Sequence, residues 1–140
     1  NLTGRPLFAF GFGLSYTNFT YENIRLEKTT IGANETVKVF FNLTNSGKTN
    51  GEEVPQLYIK DNFSSLSQPV LALKGFKRVL LKAGESRELN FEITPQALQL
   101  LNKEMKWVVE PGEFSVMIGA SSADIRLRTV LTVGDTASEK

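Results

Sequence analysis

The strongest constraint on the fold is a strict alternation of apolar and polar residues in the stretch 37–44. The apolar residues of one parity are Val37, Val39, Phe41 and Leu43, and only Phe40 interrupts the polar parity. Successive side chains of a β-strand point to opposite faces, so a period of two predicts a strand with one buried face. This stretch is therefore predicted to be a strand that lines a core.

The same signal recurs along the chain between turn-forming residues. Further strands are predicted at 17–30, 54–60, 76–81, 87–94, 105–109, 114–120 and 125–133. The parity of the first slips near Glu22, which predicts a bulge. Pro55 predicts that its strand begins at a sheet edge. The stretches 105–109 and 114–120 are predicted to form a hairpin around the turn at 110–113, where Pro-Gly suits a type II turn.

Thr94 and Pro95 are the only helix-start signal, an N-cap followed by proline at the first helical position. About seven strands with one short helix predict an all-β fold, an antiparallel β-sandwich of the immunoglobulin-like or fibronectin type III-like kind. Cysteine is absent and Trp107 lies late in the chain, which favours the fibronectin-like variant. The domain is expected to span 17–133, followed by a flexible tail at 134–140.

Residues 6–16 form an uncharged ribbon that precedes the first regular strand. Its aromatic residues are Phe8, Phe10, Phe12 and Tyr16, and Gly11 and Gly13 would weaken an ordinary strand here. An apolar ribbon of this kind needs a surface to cover it. Either it folds back on the domain's own core, or it meets a partner outside this sequence.

Composition excludes several kinds of function. Histidine is absent, which removes Ser-His-Asp and Cys-His nucleophilic machinery and the commonest metal ligand. The net charge is +1 with well-mixed signs, so neither a nucleic-acid partner nor a membrane partner is expected. No metal site or cofactor is predicted, because the aspartates are scattered.

Carboxylate pairs that could hydrolyse a glycosidic bond would need to lie roughly 5–9.5 Å apart. Glu52 and Glu53 are neighbours on a predicted strand, so their side chains should point to opposite faces. The other close pairs, at 85 and 88 and at 110 and 113, flank predicted turns and are interpreted as solvated charges. The sequence therefore predicts no catalytic pair.

Aromatic side chains could bind sugar rings or another protein if they were exposed. The candidates are Phe8, Phe10, Phe12, Tyr16, Phe40, Phe63 and Trp107. For each of them the competing interpretation, which is the favoured one for Trp107, is a place in the core.

Five motifs in order carry a family resemblance. Residues 6–17, PLFAFGFGLSYT, closely resemble the segment that introduces the C-terminal fibronectin type III-like domain of family 3 glycoside hydrolases, the β-glucosidases and β-xylosidases. The usual form is PLFPFGYGLSYT, from which Ala9 and Phe12 depart mildly. The other similar stretches are NSG with EVPQLYI (45–47, 53–59), QPV with LKGFKRV (68–70, 73–79), VEPGEF (109–114) and GASSADI (119–125). Gln68 stands where the family frequently has arginine.

The resemblance implies that the chain, which begins on Asn1 rather than Met, is a fragment from the C-terminal end of a larger glycosidase. A periplasmic or secreted location is expected, which the absence of cysteine leaves open. The nucleophilic Asp and acid/base Glu of such enzymes lie in two preceding domains, so this fragment alone is expected not to be an enzyme. Its expected partners are those catalytic domains, which it would brace, with residues 1–16 as an interdomain ribbon. The contact residues are expected to be Phe8, Phe10 and Phe12, with Leu14 and Tyr16 anchoring the ribbon to the sandwich.

Two further roles stay open. The loop 61–69 is predicted to reach toward the active-site mouth of the larger enzyme with Phe63, Leu66 and Gln68. Alternatively, the domain is a carbohydrate-binding module for a β-linked oligosaccharide, using surface aromatics such as Phe63. A free-standing interaction sandwich is a third interpretation, which rests on fold alone.

Overall fold

Two layers of β-sheet make up the part of the chain that the structure, a computed structural model, describes: residues 17–62 and 71–134. The elements in chain order are β1 (Phe19–Leu26), β2 (Thr30–Ile31), β3 (Val37–Asn45), β4 (Gly51–Glu53), β5 (Gln56–Asp61), β6 (Ala72–Phe76), β7 (Val79–Leu81), β8 (Ser86–Ile93), α1 (Pro95–Leu98), β9 (Leu100–Leu101), β10 (Trp107–Val108), β11 (Gly112–Ser121) and β12 (Asp124–Val133).

One layer is a five-stranded sheet in the order β2-β12-β11-β5-β6, and the other is a three-stranded sheet in the order β1-β3-β8. Neighbours are antiparallel except for β2 and β12, which are parallel. Two small sheets, β4-β7 and β9-β10, complete the described part. Seven of its strands have five residues or more. The predicted all-β sandwich is confirmed.

The core lies between the two layers, and β3 contributes as its alternation predicts. Val37, Val39, Phe41 and Leu43 are all at most 1% exposed. The ring of Phe41 stacks between those of Tyr21 and Phe91, with centroids 6.1 and 5.9 Å away. Phe40, which interrupts the polar parity, lies on the other face of β3. The guanidinium of Arg25 lies 5.5 Å from the centre of its ring.

Two local predictions are confirmed in detail. The pairing of β1 with β3 shifts register between Glu22 and Arg25, where Asn23 takes a φ of 61°. This is the bulge that the parity slip predicts. Thr94 caps α1, because its Oγ1 accepts from the backbone N–H of Ala97 at 3.3 Å, and Pro95 is the first helical residue.

The predicted strand 76–81 is wrong, because β6 ends at Phe76 and β7 begins at Val79. The first pairs with β5 and the second with β4, so the chain changes sheets between them. A backbone hydrogen bond from Lys77 N–H to the carbonyl of Pro55, 3.1 Å long, holds this crossing. Pro55 itself separates β4 from β5, and β5 lies between β11 and β6 rather than at an edge.

The hairpin predicted between 105–109 and 114–120 is also wrong. β10 pairs with β9, whereas β11 pairs with β5 and β12. The reason is a tight turn built by Asn102, whose Oδ1 accepts from the N–H groups of Glu104 and Lys106 at 2.9 and 3.0 Å. This turn folds β10 back onto β9 before the chain reaches Pro111. Pro111 has no N–H to donate to a strand ladder.

Candidate functional surface

The residues predicted to make interdomain contacts, Phe8, Phe10, Phe12, Leu14 and Tyr16, lie outside the described residues. The same holds for the predicted mouth-loop residues Phe63, Leu66 and Gln68. Both sets therefore stay predictions. The described residues do include Thr17, where the segment 1–16 joins the sandwich.

Asn45 ties this junction to the rest of the fold. The Oδ1 atom of its buried amide accepts from Thr17 Oγ1 at 2.9 Å and from Gly47 N at 3.0 Å. Its Nδ2 donates to the carbonyls of Thr49 at 2.8 Å and Leu81 at 3.1 Å. Every polar position of the side chain is thus used, as a fully buried amide requires. Sequence reasoning noted Asn-Ser-Gly only as part of a family motif, and missed this role.

A second polar cluster joins the two sheets near the same junction. The Tyr21 hydroxyl donates to Glu53 Oε2 at 2.8 Å, and the guanidinium of Arg126 lies 5.0 Å from the centre of the Tyr21 ring. Arg126 also donates to Phe19 O at 3.1 Å and forms a two-pronged ion pair with Asp124, at 2.8 and 3.1 Å. The cluster fixes β1 against β12.

The carboxylates have separate structural partners. Glu53 accepts from Tyr21, whereas Glu52 pairs with Arg78 Nε at 2.8 Å. Glu85 accepts from the N–H of Lys82 and pairs with Arg87, contacts that together lower the pKa of its carboxyl. Among the described residues, no group of three or more His, Cys, Asp or Glu side chains could hold a metal ion. None of the helices described there is long and apolar enough to cross a membrane.

Exposed apolar side chains are the remaining candidates for binding. The large ones are Leu71, Leu73, Phe76, Leu80, Met105, Trp107 and Val130. The core interpretation of Trp107 is wrong: it is 65% exposed on the small β9-β10 hairpin, at the end of the sandwich opposite Thr17. Phe76 is 63% exposed near the end that holds Thr17. Its exposure was not predicted from the sequence.

The family model described as Fibronectin type III-like domain matches residues 53–122. The chain belongs to that family. The matched range of this fibronectin type III-like domain includes β5 to β11 and therefore both Phe76 and Trp107.

Curated relatives of the domain are longer glycosidases. A β-xylosidase of Formosa agariphila is 48% identical over 129 residues, which is 91% of this chain but 18% of the relative. A periplasmic β-glucosidase of Salmonella typhimurium is 42% identical over 86% of this chain and 16% of its own length. The chain thus spans under a fifth of these relatives. Their match confirms the resemblance to β-glucosidases and β-xylosidases.

Solved structures give the same result for the fold. The crystal structure of a β-glucosidase from Listeria innocua in complex with glucose matches with a TM-score of 0.79 and 35% identity. The match covers 90% of this chain and 17% of that one.

Tyr21 of the fibronectin type III-like domain makes the fold sensitive to alkaline pH. Burial, and then the negative charge and hydrogen bond of Glu53, raise the pKa of Tyr21 well above its usual value. Above about pH 10 an unfolded tyrosine loses its proton while the folded one keeps it, so the free energy of unfolding falls by up to about 1.4 kcal/mol per pH unit. Urea denaturation at several alkaline pH values should show a shallower fall for Tyr21→Phe. Equal slopes for the two proteins would contradict the assignment.

Proposed function

We propose that this domain is a non-catalytic accessory domain at the C-terminal end of a family 3 glycoside hydrolase that acts on β-glucosides or β-xylosides. In this proposal it braces the catalytic domains. The observation that carries the proposal is the uneven coverage: 91% of the chain aligns with only 18% of a β-xylosidase. The residues that form this domain are therefore a small part of relatives named for hydrolysis.

The division of the chain follows from the same proposal. Residues 17–133 form the domain, 1–16 an interdomain ribbon that uses Phe8, Phe10, Phe12, Leu14 and Tyr16, and 134–140 a tail. The loop 61–69 reaches toward the active-site mouth with Phe63, Leu66 and Gln68. A periplasmic or secreted location is supported by one relative that is named periplasmic.

The separate partners of the carboxylates support a non-catalytic role. A retaining glycosidase needs two carboxyl groups about 5–5.5 Å apart on either side of the bond. Here Glu52 and Glu53, adjacent in sequence, are occupied by Arg78 and Tyr21 respectively. These contacts stabilise the fold. They do not arrange the two carboxyl groups on either side of a common substrate site.

The test compares this chain with the whole enzyme. We expect the chain alone to turn over neither aryl β-glucosides nor aryl β-xylosides. We expect the parent enzyme truncated before Pro6 to lose activity and to melt at a lower temperature than the full-length enzyme. Turnover by the isolated chain, or full stability and activity of the truncated enzyme, would contradict the proposal.

A carbohydrate-binding role is the second candidate, because Trp107 presents an exposed ring of the kind that stacks on sugars. Electrophoresis of the chain in gels that contain xylan or β-glucan separates the two proposals. Retardation that disappears in Trp107→Ala would favour carbohydrate binding, whereas unchanged migration favours the bracing role.

A further inference from the structure

Strand β6 exposes two large apolar side chains at the edge of a sheet. Leu73 is 52% exposed and Phe76 is 63% exposed. β6 is the outermost strand of the five-stranded sheet, and no strand of the described residues pairs with its free edge. Soluble proteins protect such an edge with charges, prolines, bulges or a covering segment, and Lys74 is the only charged residue of this strand.

A bulge directs both side chains to the same face. Residues 73 and 76 are three apart, so regular alternation would place them on opposite faces. The pairing with β5 shifts register between Leu57 and Tyr58, which sets Leu73 opposite Tyr58 and Phe76 opposite Gln56. Both therefore lie on the outer face of the sheet, away from the core. Bulges commonly redirect a side chain in this way.

Gly75 shows why the chain turns these side chains outward. It lies opposite the buried Leu57, and a Cβ at this position would be 3.3 Å from the ring of Phe91. A side chain at this point of β6 would press against the Phe91 ring. The bulge and the glycine together leave Leu73 and Phe76 as outward-facing groups that add little to the stability of the isolated domain.

The outer face continues as an apolar row across the sheet. Leu73 lies opposite Tyr58, Tyr58 opposite Met117, and Met117 opposite Arg128. Tyr58 and Met117 are 7% and 3% exposed although they face away from the core between the sheets. Arg128 donates to the Met117 sulfur at 3.3 Å. Tyr58 and Met117 are thus already buried, and the apolar surface that this face offers to a partner is that of Leu73 and Phe76. Aromatic residues of this kind are enriched in the cores of protein interfaces.

The charges near this face are mainly positive. Lys60 and Arg128 are on the outer face itself, and Lys74 lies in the bulge. None of these three forms an ion pair with another described residue. Glu113 of β11 also faces outward, but it lies at the end of the sheet away from Phe76. The complementary surface would be apolar with an acidic rim.

We propose that this outer face, centred on Leu73 and Phe76, docks against the part of the glycosidase that precedes this domain, through an apolar surface with an acidic rim. The inference rests on the proposed function. The connection of the chain supports this occupant. Phe76 pairs with Gln56, next to Pro55, and Leu81 at the end of the following strand bonds to Asn45, which holds Thr17. The docking face therefore adjoins the end of the sandwich where the preceding polypeptide joins.

The bulge also argues against strand addition by a second copy. A bulged edge disrupts the regular ladder that a pairing strand would need. Leu73 and Phe76 are therefore available as side-chain contacts, while the backbone edge is poorly suited to extend the sheet.

The experiment uses the polypeptide encoded upstream of this chain, expressed separately, as the probe. Its binding to the 140-residue chain is measured by calorimetry at two salt concentrations. We expect Phe76→Ala to weaken binding by about tenfold or more, as truncation of a central aromatic contact does, and Leu73→Ala to weaken it less. Lys74→Glu should weaken binding and reduce its dependence on salt. The matched control is Trp107→Ala, equally exposed at the opposite end, which should bind as the unaltered chain does.

Thermal melting of each variant alone separates docking from folding. The melting temperatures should change little, because the side chains removed are exposed. Unchanged binding by Phe76→Ala, or weakened binding by Trp107→Ala alone, would overturn the inference. Self-association of the chain that Phe76→Ala abolishes would assign the face to a second copy and overturn it equally. If the upstream polypeptide is fully active and stable without this domain and does not bind it, the proposed function fails as well.

Discussion

Replacement of Asn45 by aspartate should destabilise the domain by about 3–5 kcal/mol, an effect large enough to unfold many domains of this size. Asparagine and aspartate have nearly the same shape, so packing is preserved. The change replaces an N–H₂ group that donates to the carbonyls of Thr49 and Leu81 with an oxygen that faces them. Asn45 is fully buried, so water cannot relieve this repulsion or solvate the new charge.

Asn50→Asp is the matched control, because it makes the same chemical change in the adjacent loop. Asn50 is exposed, and its Oδ1 accepts from the N–H of Ala83 at 3.0 Å, a bond that aspartate keeps. Urea denaturation of both variants provides the comparison. We expect a change within about 0.5 kcal/mol for the control. An equally small loss for Asn45→Asp would contradict the role of the amide.

Gly119→Ala is expected to cost about 3 kcal/mol, at the upper end of the usual range for overpacking. A Cβ at this position would lie 2.4 Å from the carbonyl oxygen of Asp124 and 2.9 Å from the Cα of Ile125. Both are backbone atoms of β12, so relief requires β11 and β12 to separate. The pairing of these strands already shifts register on both sides of Gly119, which leaves the backbones close together here.

The comparison variant is Gly84→Ala, in the turn between β7 and β8. Gly84 has a φ of 81°, and no other atom lies within 4 Å of its Cβ position. The cost there is conformational alone, about 1–2 kcal/mol. Guanidinium denaturation should therefore rank Gly119→Ala as the more damaging change. The reverse order would show that β11 and β12 adjust more readily than their spacing indicates.

Local patterns in the sequence were sufficient for several elements. The alternation around Phe41 predicted which face of β3 is buried, and the parity slip near Glu22 predicted the bulge in β1. Thr94 and Pro95 predicted the start of α1. In each case the determining interaction is between residues a few positions apart, or is the simple exclusion of water from one face.

Pairing partners could not be read in the same way. Of the predicted strand 105–109 only Trp107 and Val108 form a strand, and Met105 lies in the preceding turn with a φ of 63°. Alternation also does not say which strand will pair, and the Asn102 turn joins β10 to β9. The pattern of 76–81 likewise conceals the change of sheet after Phe76. For Trp107, the large apolar side chain favoured a place in the core, whereas its position on a two-stranded hairpin leaves it exposed.

By itself, the sequence determined the fold class, the buried face of the main strands and the family, because periodicity and motif order are properties of consecutive residues. The tertiary structure alone decided that Asn45 holds Thr17, and that Leu73 and Phe76 both face outward. These depend on contacts between distant segments. The buried Asn45 amide bonds to Thr17, to the loop at 47–49 and to Leu81, and the register shift lies beside Gly75, which is close to Phe91. The candidate docking face depends on that register shift. Regular alternation along the sequence would have placed Leu73 and Phe76 on two different faces of the sheet.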